Sequence, residues 1–306
     1  MRMHARRIIA IYLTFQAISL TAWWAFLLAF PICIDWFKPA HWPGETLHGF
    51  LLGDVLLLVG GSVGTAIAVL RNWSWAVTAI WSLAAVSWYP TLYCIGVSVL
   101  TGEAWISSAM MASMAGLTLA MATIQGNANQ VPATIRTVNM NKTVAVVWTF
   151  AQTTVFWCVF LWVLPMGLVE LQGRLGLSVF THSRPRFLPW VLFVIASMLG
   201  LWTGVVIAIH GTGTPLPTAT ASKLVLVGPY RVVRNPMALT GIMQGVAVGW
   251  ILGSYVVIAY ALAGALAWHW FVRPVEQHDL EVRFGHEYRV YKSKVSLWVP
   301  TFQLRR

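Results

Sequence analysis

The run MALTGIMQGVAVGWILGSYVVIAYALAGALAWHWFV, residues 237–272, holds 36 residues with no Asp, Glu, Lys or Arg among them. As one straight helix it would be about 54 Å long at 1.5 Å per residue, against about 30 Å of bilayer hydrocarbon. It must therefore be either one steeply tilted helix or two short helices folded back on each other, and Gly253-Ser254 near its middle suits a turn. Gly241, Gly245, Gly249 and Gly253 recur every fourth residue and lay small residues along one face. In lipid no hydrophobic drive presses helices together, so such a face serves to let two backbones approach closely. The reading adopted is a membrane-embedded helical hairpin.

The rest of the chain has the same character. Hydrophobic residues make up 58% and charged residues 9% of the 306, against roughly 25% charged in soluble domains, and mean hydropathy is +0.71. Too few polar side chains exist to clothe a water-exposed surface, which excludes a soluble enzyme, a disordered chain and a disulfide scaffold. Further uncharged stretches predict helices near 8–31, 48–70, 75–100, 104–124, 143–168 and 187–209. With the hairpin this is an all-α polytopic membrane protein of about eight transmembrane helices, followed by a cytoplasmic amphipathic helix at the C-terminus. The first helix reads as retained, because its apolar run exceeds the roughly 7–15 residues of a secretory signal. The polar linker Gln125–Lys142 separates an N-terminal four-helix module (1–125) from a C-terminal part (143–306) whose motif-bearing core is 210–302.

Arg2, Arg6 and Arg7 put the N-terminus in the cytoplasm, and an even number of spans puts the C-terminus there too. Arg71, Arg136, Lys142, Lys223, Arg231 and Arg234 then share that side, while Arg174, Arg184 and Arg186 fall outside, against the rule. The net charge of +11 is thinly spread and forms no contiguous basic face, so nucleic acid is not a partner; membrane lipid is. Cys33, Cys94 and Cys158 stand isolated in apolar runs, a pattern that fits neither a disulfide framework nor a metal site. The composition leaves the oligomeric state open.

Two segments concentrate the scarce polar residues. One runs His210-Gly-Thr-Gly-Thr-Pro-Leu-Pro217 and then Leu226-Val-Gly-Pro-Tyr-Arg-Val-Val-Arg-Asn-Pro236. The other begins Glu276-Gln-His-Asp-Leu280, continues Phe284-Gly-His-Glu-Tyr288 to Tyr291, and ends Val295-Ser-Leu-Trp-Val-Pro300. The hairpin joins them, so both emerge on one face of the membrane. Gly211 and Gly213 can take positive φ and let a ligand approach the backbone. Arg231 and Arg234 can hold a carboxylate or other anion. Glu276 can accept from an ammonium group or ribose hydroxyls, and Tyr230 and Tyr288 offer aromatic faces to a cation or an adenine ring.

The pattern Gly228-Pro-Tyr-Arg-x-x-Arg-Asn-Pro236, then Glu276-x-x-x-Leu280-x-x-x-Phe-Gly-x-Glu-Tyr288-x-x-Tyr291-x-x-x-Val295-x-x-Trp-x-Pro300, resembles the isoprenylcysteine carboxyl methyltransferase family, which is related to phospholipid N-methyltransferases. The resemblance covers about residues 190–302. The lead-in Gly211–Pro217 is similar to that of bacterial members, which implies a bacterial inner-membrane location. What the resemblance implies is an integral-membrane enzyme that uses S-adenosylmethionine. Gly228, Tyr230, Arg231, Arg234, Asn235, Pro236 and Glu276 would line its cofactor pocket, with Gln277 beside them and Tyr288 and Tyr291 closing it. Two positions depart from the pattern: Glu276-Gln277 stands where a Glu-Glu pair is usual, and Ala238 where an aromatic often follows.

Methyl transfer from a sulfonium is an in-line displacement in which the protein chiefly aligns donor and acceptor. Arg231, Arg234 and Glu287 are the residues expected to act on the reacting groups. A carboxylate or thiolate acceptor needs no base; an amine or hydroxyl needs a proton acceptor, for which Glu287, His286 and His278 are candidates. The acceptor is a lipophilic or small molecule. Asp279 and Glu281 read as a solvated face paired with neighbouring arginines, and His210 and His269 as interface residues. Asp54 is an ionisable group within an apolar span, which marks either a functional site or a nearby partner. Two other classes fit the composition: a nicotinamide-dependent membrane reductase of the sterol type and a non-enzymatic transporter.

Overall fold

A computed structural model of the chain describes residues 2–128, 140–180, 187–214 and 222–301. Among them no β-strand forms, and seven helices are long and apolar enough to cross a membrane. In chain order these are α1 (Arg2–Ala29), α2 (Glu45–Leu70), α3 (Ala76–Thr101), α4 (Trp105–Ala128), α5 (Lys142–Arg174), α6 (Leu188–Gly211) and, after the shorter α7 (Pro236–Ile251), α8 (Tyr255–Lys294). Every apolar run of the sequence is thus a helix, and the chain is an integral membrane protein. The apolar run of α8 ends at Val272, and the polar stretch Arg273–Lys294 expected as a separate amphipathic helix continues α8 beyond the membrane-spanning part. Arg136, Arg184, Arg186 and the Pro215–Pro217 end of the lead-in lie outside the described residues.

The 237–272 run folds back on itself. Gly253, at φ 66°, makes the turn between α7 and α8, and Ser254 caps α8 by accepting from the Val257 amide at 3.1 Å. Two members of the glycine stripe are what closes the pair. A Cβ built on Gly245 would stand 2.8 Å from the Ala261 Cβ, and one on Gly249 would stand 2.8 Å from the Ile258 backbone nitrogen. Gly241 faces open space.

The chain forms two compact units, Met1–Ala133 with Trp162–Leu177, and Thr134–Leu161 with Ser178–Arg306. Helix α5 contributes to both, changing unit near its π-helical stretch Trp157–Val163. In the first unit Ile9, Leu13, Leu58, Val69, Ile80 and Leu83 form the core of α1 to α4. A polar ladder crosses the same helices: the Tyr12 hydroxyl lies 2.9 Å from Thr118 Oγ1, Thr118 donates to Gln16 Oε1 at 2.9 Å, and Gln16 donates to Ser62 Oγ at 3.2 Å. Lipid offers polar groups no partner, so they find one another across helices. Asp54 does the same: it is 7% exposed and accepts from the Trp24 indole at 3.0 Å. At the other edge Gly167 meets Ala109 and Trp105, which seats the end of α5 against α4.

In the second unit α6 packs on α7 through Gly200, whose added Cβ would touch Thr240 Oγ1 at 3.1 Å, and Gln244 donates to Ser197 Oγ at 2.9 Å. Gly204 similarly admits Thr149 of α5. These contacts fix the ends of α6, α7 and α8 from which the polar segments emerge.

Candidate functional site

The lead-in leaves α6 at Gly211. Thr212 takes the left-handed cap conformation at φ 55°, and neither Gly211 nor Gly213 has positive φ. This corrects the sequence expectation for those two glycines. Both are buried, and Gly211 offers its carbonyl to the Ser222 amide at 2.9 Å, while the Met140 amide donates to the Thr212 carbonyl at 3.0 Å. The Gly211 and Thr212 carbonyls are thereby taken up by Ser222 and by Met140, just before α5.

Positive φ falls instead on Gly228, at 59°, where the chain turns into the short 3-10 stretch Gly228–Arg231. That turn drives Tyr230 inward against Val206 and Val225 and leaves Arg231 exposed. Asn235-Pro236 then starts α7: the Asn235 side chain accepts from the Ala238 amide at 3.0 Å, and Pro236 occupies the first helical position, where its missing N–H costs nothing. The same Asn235 side chain turns its Nδ2 toward Glu276 Oε2, at a long 3.4 Å. The hairpin has carried the chain out and back, and the two motifs meet.

Beyond Glu276 the helix is interrupted at Gly285 (φ 49°, ψ −116°), and the segment after the break turns Tyr288 and Tyr291 toward the loop. The Tyr291 hydroxyl donates to the Tyr230 carbonyl at 2.7 Å, and buried Tyr288 is hydrogen-bonded to the Arg234 guanidinium. The last described residues strap the loop in place. The Arg234 amide donates to the Ser296 carbonyl at 3.0 Å, the Thr301 amide to the Val232 carbonyl at 2.8 Å, and the Trp298 indole to His269 Nδ1 at 3.2 Å.

The electrostatics follow from burial. Glu276 loses solvent and sits one turn from the negative Asp279, which together raise its carboxyl from 4.5 to about 7. Burial raises Tyr230 well above its usual 10, with Glu276 adding to the effect. Burial raises Tyr288 too, against the opposing pull of Arg234, and raises Tyr291. All three phenols therefore stay neutral and act as donors and ring walls. Arg234 keeps two buried nitrogens, Nε and Nη1, that donate to nothing among the described residues. Asp279 gives one oxygen to Arg283 at 2.6 Å and keeps the other, Oδ1, buried without a donor.

Of the residues expected from the sequence, Tyr230, Arg234, Asn235, Pro236, Glu276, Tyr288 and Tyr291 come together, with Gly228 shaping the loop. Gln277 is partly exposed beside them. Arg231 and Glu287 are exposed, as are the alternative proton acceptors His278 and His286. Asp279, expected from the sequence on a solvated face, is instead buried at 8% exposure. Its i,i+4 spacing to Arg283 reads as a surface ion pair, and nothing local signals that one oxygen is buried unmatched.

The chain is thus a polytopic helical membrane protein in which a partly buried arginine, a carboxyl and three tyrosines gather where a helical hairpin begins and ends. Residues 184–287 match the phospholipid methyltransferase family, a family of integral-membrane methyltransferases related to the isoprenylcysteine carboxyl methyltransferases. The match takes in the Gly228–Pro236 motif and Glu276 and stops one residue before Tyr288. No curated protein and no solved structure matches the chain.

Proposed function

We propose that the chain is an S-adenosylmethionine-dependent methyltransferase acting on a lipophilic or small acceptor through a carboxylate, amine or thiol. The observation that carries this reading is Arg234, two of whose guanidinium nitrogens are buried and unmatched among the described residues while the side chain is hydrogen-bonded to Tyr288. Buried donors without acceptors are rare because each costs about 1–3 kcal/mol, and a ligand carboxylate would satisfy both at once. The surrounding groups fit the rest of the donor. Glu276 suits an ammonium or ribose hydroxyls, and the rings of Tyr230, Tyr288 and Tyr291 suit adenine or the sulfonium.

When bound, the donor supplies a methyl group on a positively charged sulfur, which leaves with the S–C electron pair as the new bond forms to the acceptor. The chain's own part is alignment and dryness. The strap from Ser296 to Thr301 fixes the main chain at Val232 and Arg234, the Asn235 cap fixes the start of α7, and the buried tyrosines exclude water. Both termini lie in the cytoplasm, so the water-soluble donor enters there, while a lipophilic acceptor arrives between helices. Detergent-solubilised protein or membranes incubated with methyl-labelled S-adenosylmethionine and a total lipid extract should yield a labelled product. Absence of any labelled product, together with consumption of a nicotinamide hydride donor, would replace this reading with the reductase one.

A further inference from the structure

Two unmatched groups beside this site are of opposite kind. Arg234 offers buried donors at Nε and Nη1, and Asp279 offers a buried acceptor at Oδ1 on a side chain only 8% exposed. Each is already held by its other end, Arg234 by Tyr288 and Asp279 by Arg283, so both are fixed in direction. They do not satisfy each other. They are linked through one pair of residues: Asp279 lies one helical turn past Glu276, and Glu276 meets Asn235, the residue that follows Arg234.

We propose that Asp279 binds the α-ammonium of an amino-acid zwitterion whose α-carboxylate lies on Arg234, so that the two form a receptor for the methionine end of the donor. This rests on the methyltransferase reading and extends it to Asp279, a position that the motif leaves unspecified. A simple anion such as phosphate would answer Arg234 and leave Asp279 repelling it. A nucleoside without the amino acid would leave both unmatched. Only a ligand carrying both charges on one carbon supplies an acceptor to the guanidinium and donors to the carboxylate together. The assignment frees Glu276 for the ribose hydroxyls. Arg283 is a positioning residue: by holding Oδ2 it keeps Oδ1 directed.

The test is equilibrium binding to the full chain in detergent with two probes, S-adenosylhomocysteine, which has the amino-acid end, and 5′-methylthioadenosine, which lacks it. Asp279→Asn should weaken S-adenosylhomocysteine about 10- to 100-fold, the worth of one charge-assisted hydrogen bond, and leave methylthioadenosine within about twofold. Retained methylthioadenosine binding certifies that the variant is folded. Should it not fold, the parent chain supplies the same comparison: the des-amino analogue of S-adenosylhomocysteine should lose a similar factor. Equal weakening of both probes by Asp279→Asn, or no weakening of either, overturns the proposal, as does full-strength binding of the des-amino analogue. A parent chain that binds neither probe overturns the methyltransferase reading itself.

Discussion

Glu276 links stability to pH in a way that can be worked out from its surroundings. Burial and the neighbouring Asp279 raise its carboxyl from 4.5 to about 7, and each pH unit of such a difference is worth about 1.4 kcal/mol. The ionised side chain therefore costs the fold about 3 kcal/mol. Because the folded value lies above the unfolded one, the protonated form is the one folding favours. Its stability contribution is fully present below pH 4.5 and is lost as pH rises through about 7. Glu276→Gln imitates the protonated form and keeps an oxygen to accept from Asn235. Parent and variant should be about equally stable near pH 4.5, and by pH 8 the variant should be the more stable by about 3 kcal/mol. Unfolding of ligand-free protein in detergent, followed between pH 5 and 8.5, measures the gap directly. A gap that stays constant across that range, or narrows as pH rises, would refute the reasoning.

Other perturbations have definite directions. Gly249→Ala and Gly245→Ala put a Cβ within 2.8 Å of the facing helix and should each cost about 1–3 kcal/mol by overpacking, whereas Gly241→Ala should be nearly neutral; thermal unfolding of the three variants compares them. Trp24→Phe leaves the buried Asp54 oxygen without its donor and should cost about 1–3 kcal/mol, with Asp54→Asn in the Phe background giving part of it back in the same assay. Arg234→Gln should weaken S-adenosylhomocysteine binding at least about 10-fold, while Arg231→Gln, changing an exposed side chain, should change it less than about twofold, as titration calorimetry would register.

Much of this architecture was legible because lipid imposes run length, and the uncharged stretches of the sequence mark the helices to within a few residues. The hairpin and its Gly253 turn were legible for the same reason, since a run near 54 Å has few ways to fit about 30 Å of hydrocarbon. The meeting of the two motifs followed from the hairpin. What stayed hidden depends on partners distant in sequence. Helix α5 continues past residue 168 because Glu170 accepts from the Trp105 and Ile106 amides and Arg174 donates to the Asp35 carbonyl at 2.9 Å. Asp54 finds its donor 30 residues away on α1.

Helix phase misleads at the site for a physical reason as well. Glu276 and Glu287 are 11 residues apart, about three turns, which would place them on one face of an unbroken helix. The non-helical Gly285 resets that phase, brings Tyr288 and Tyr291 onto the loop and leaves Glu287 outside. In the lead-in, the sequence offers two glycines for the left-handed cap and the chain uses Thr212 between them, a choice that no spacing rule distinguishes.

Helix α7 has only 16 residues, about 24 Å of rise, and so falls roughly 6 Å short of an average hydrocarbon layer. Such hydrophobic mismatch is relieved by local thinning of the bilayer or by drawing the helix end below the headgroup plane. Since that end is the Asn235-Pro236 corner, the acyl-chain length of the host lipid becomes a mechanical variable acting on the ligand cradle. Vesicles of shorter-chain lipid should seat the corner without distortion, and longer chains should sink it.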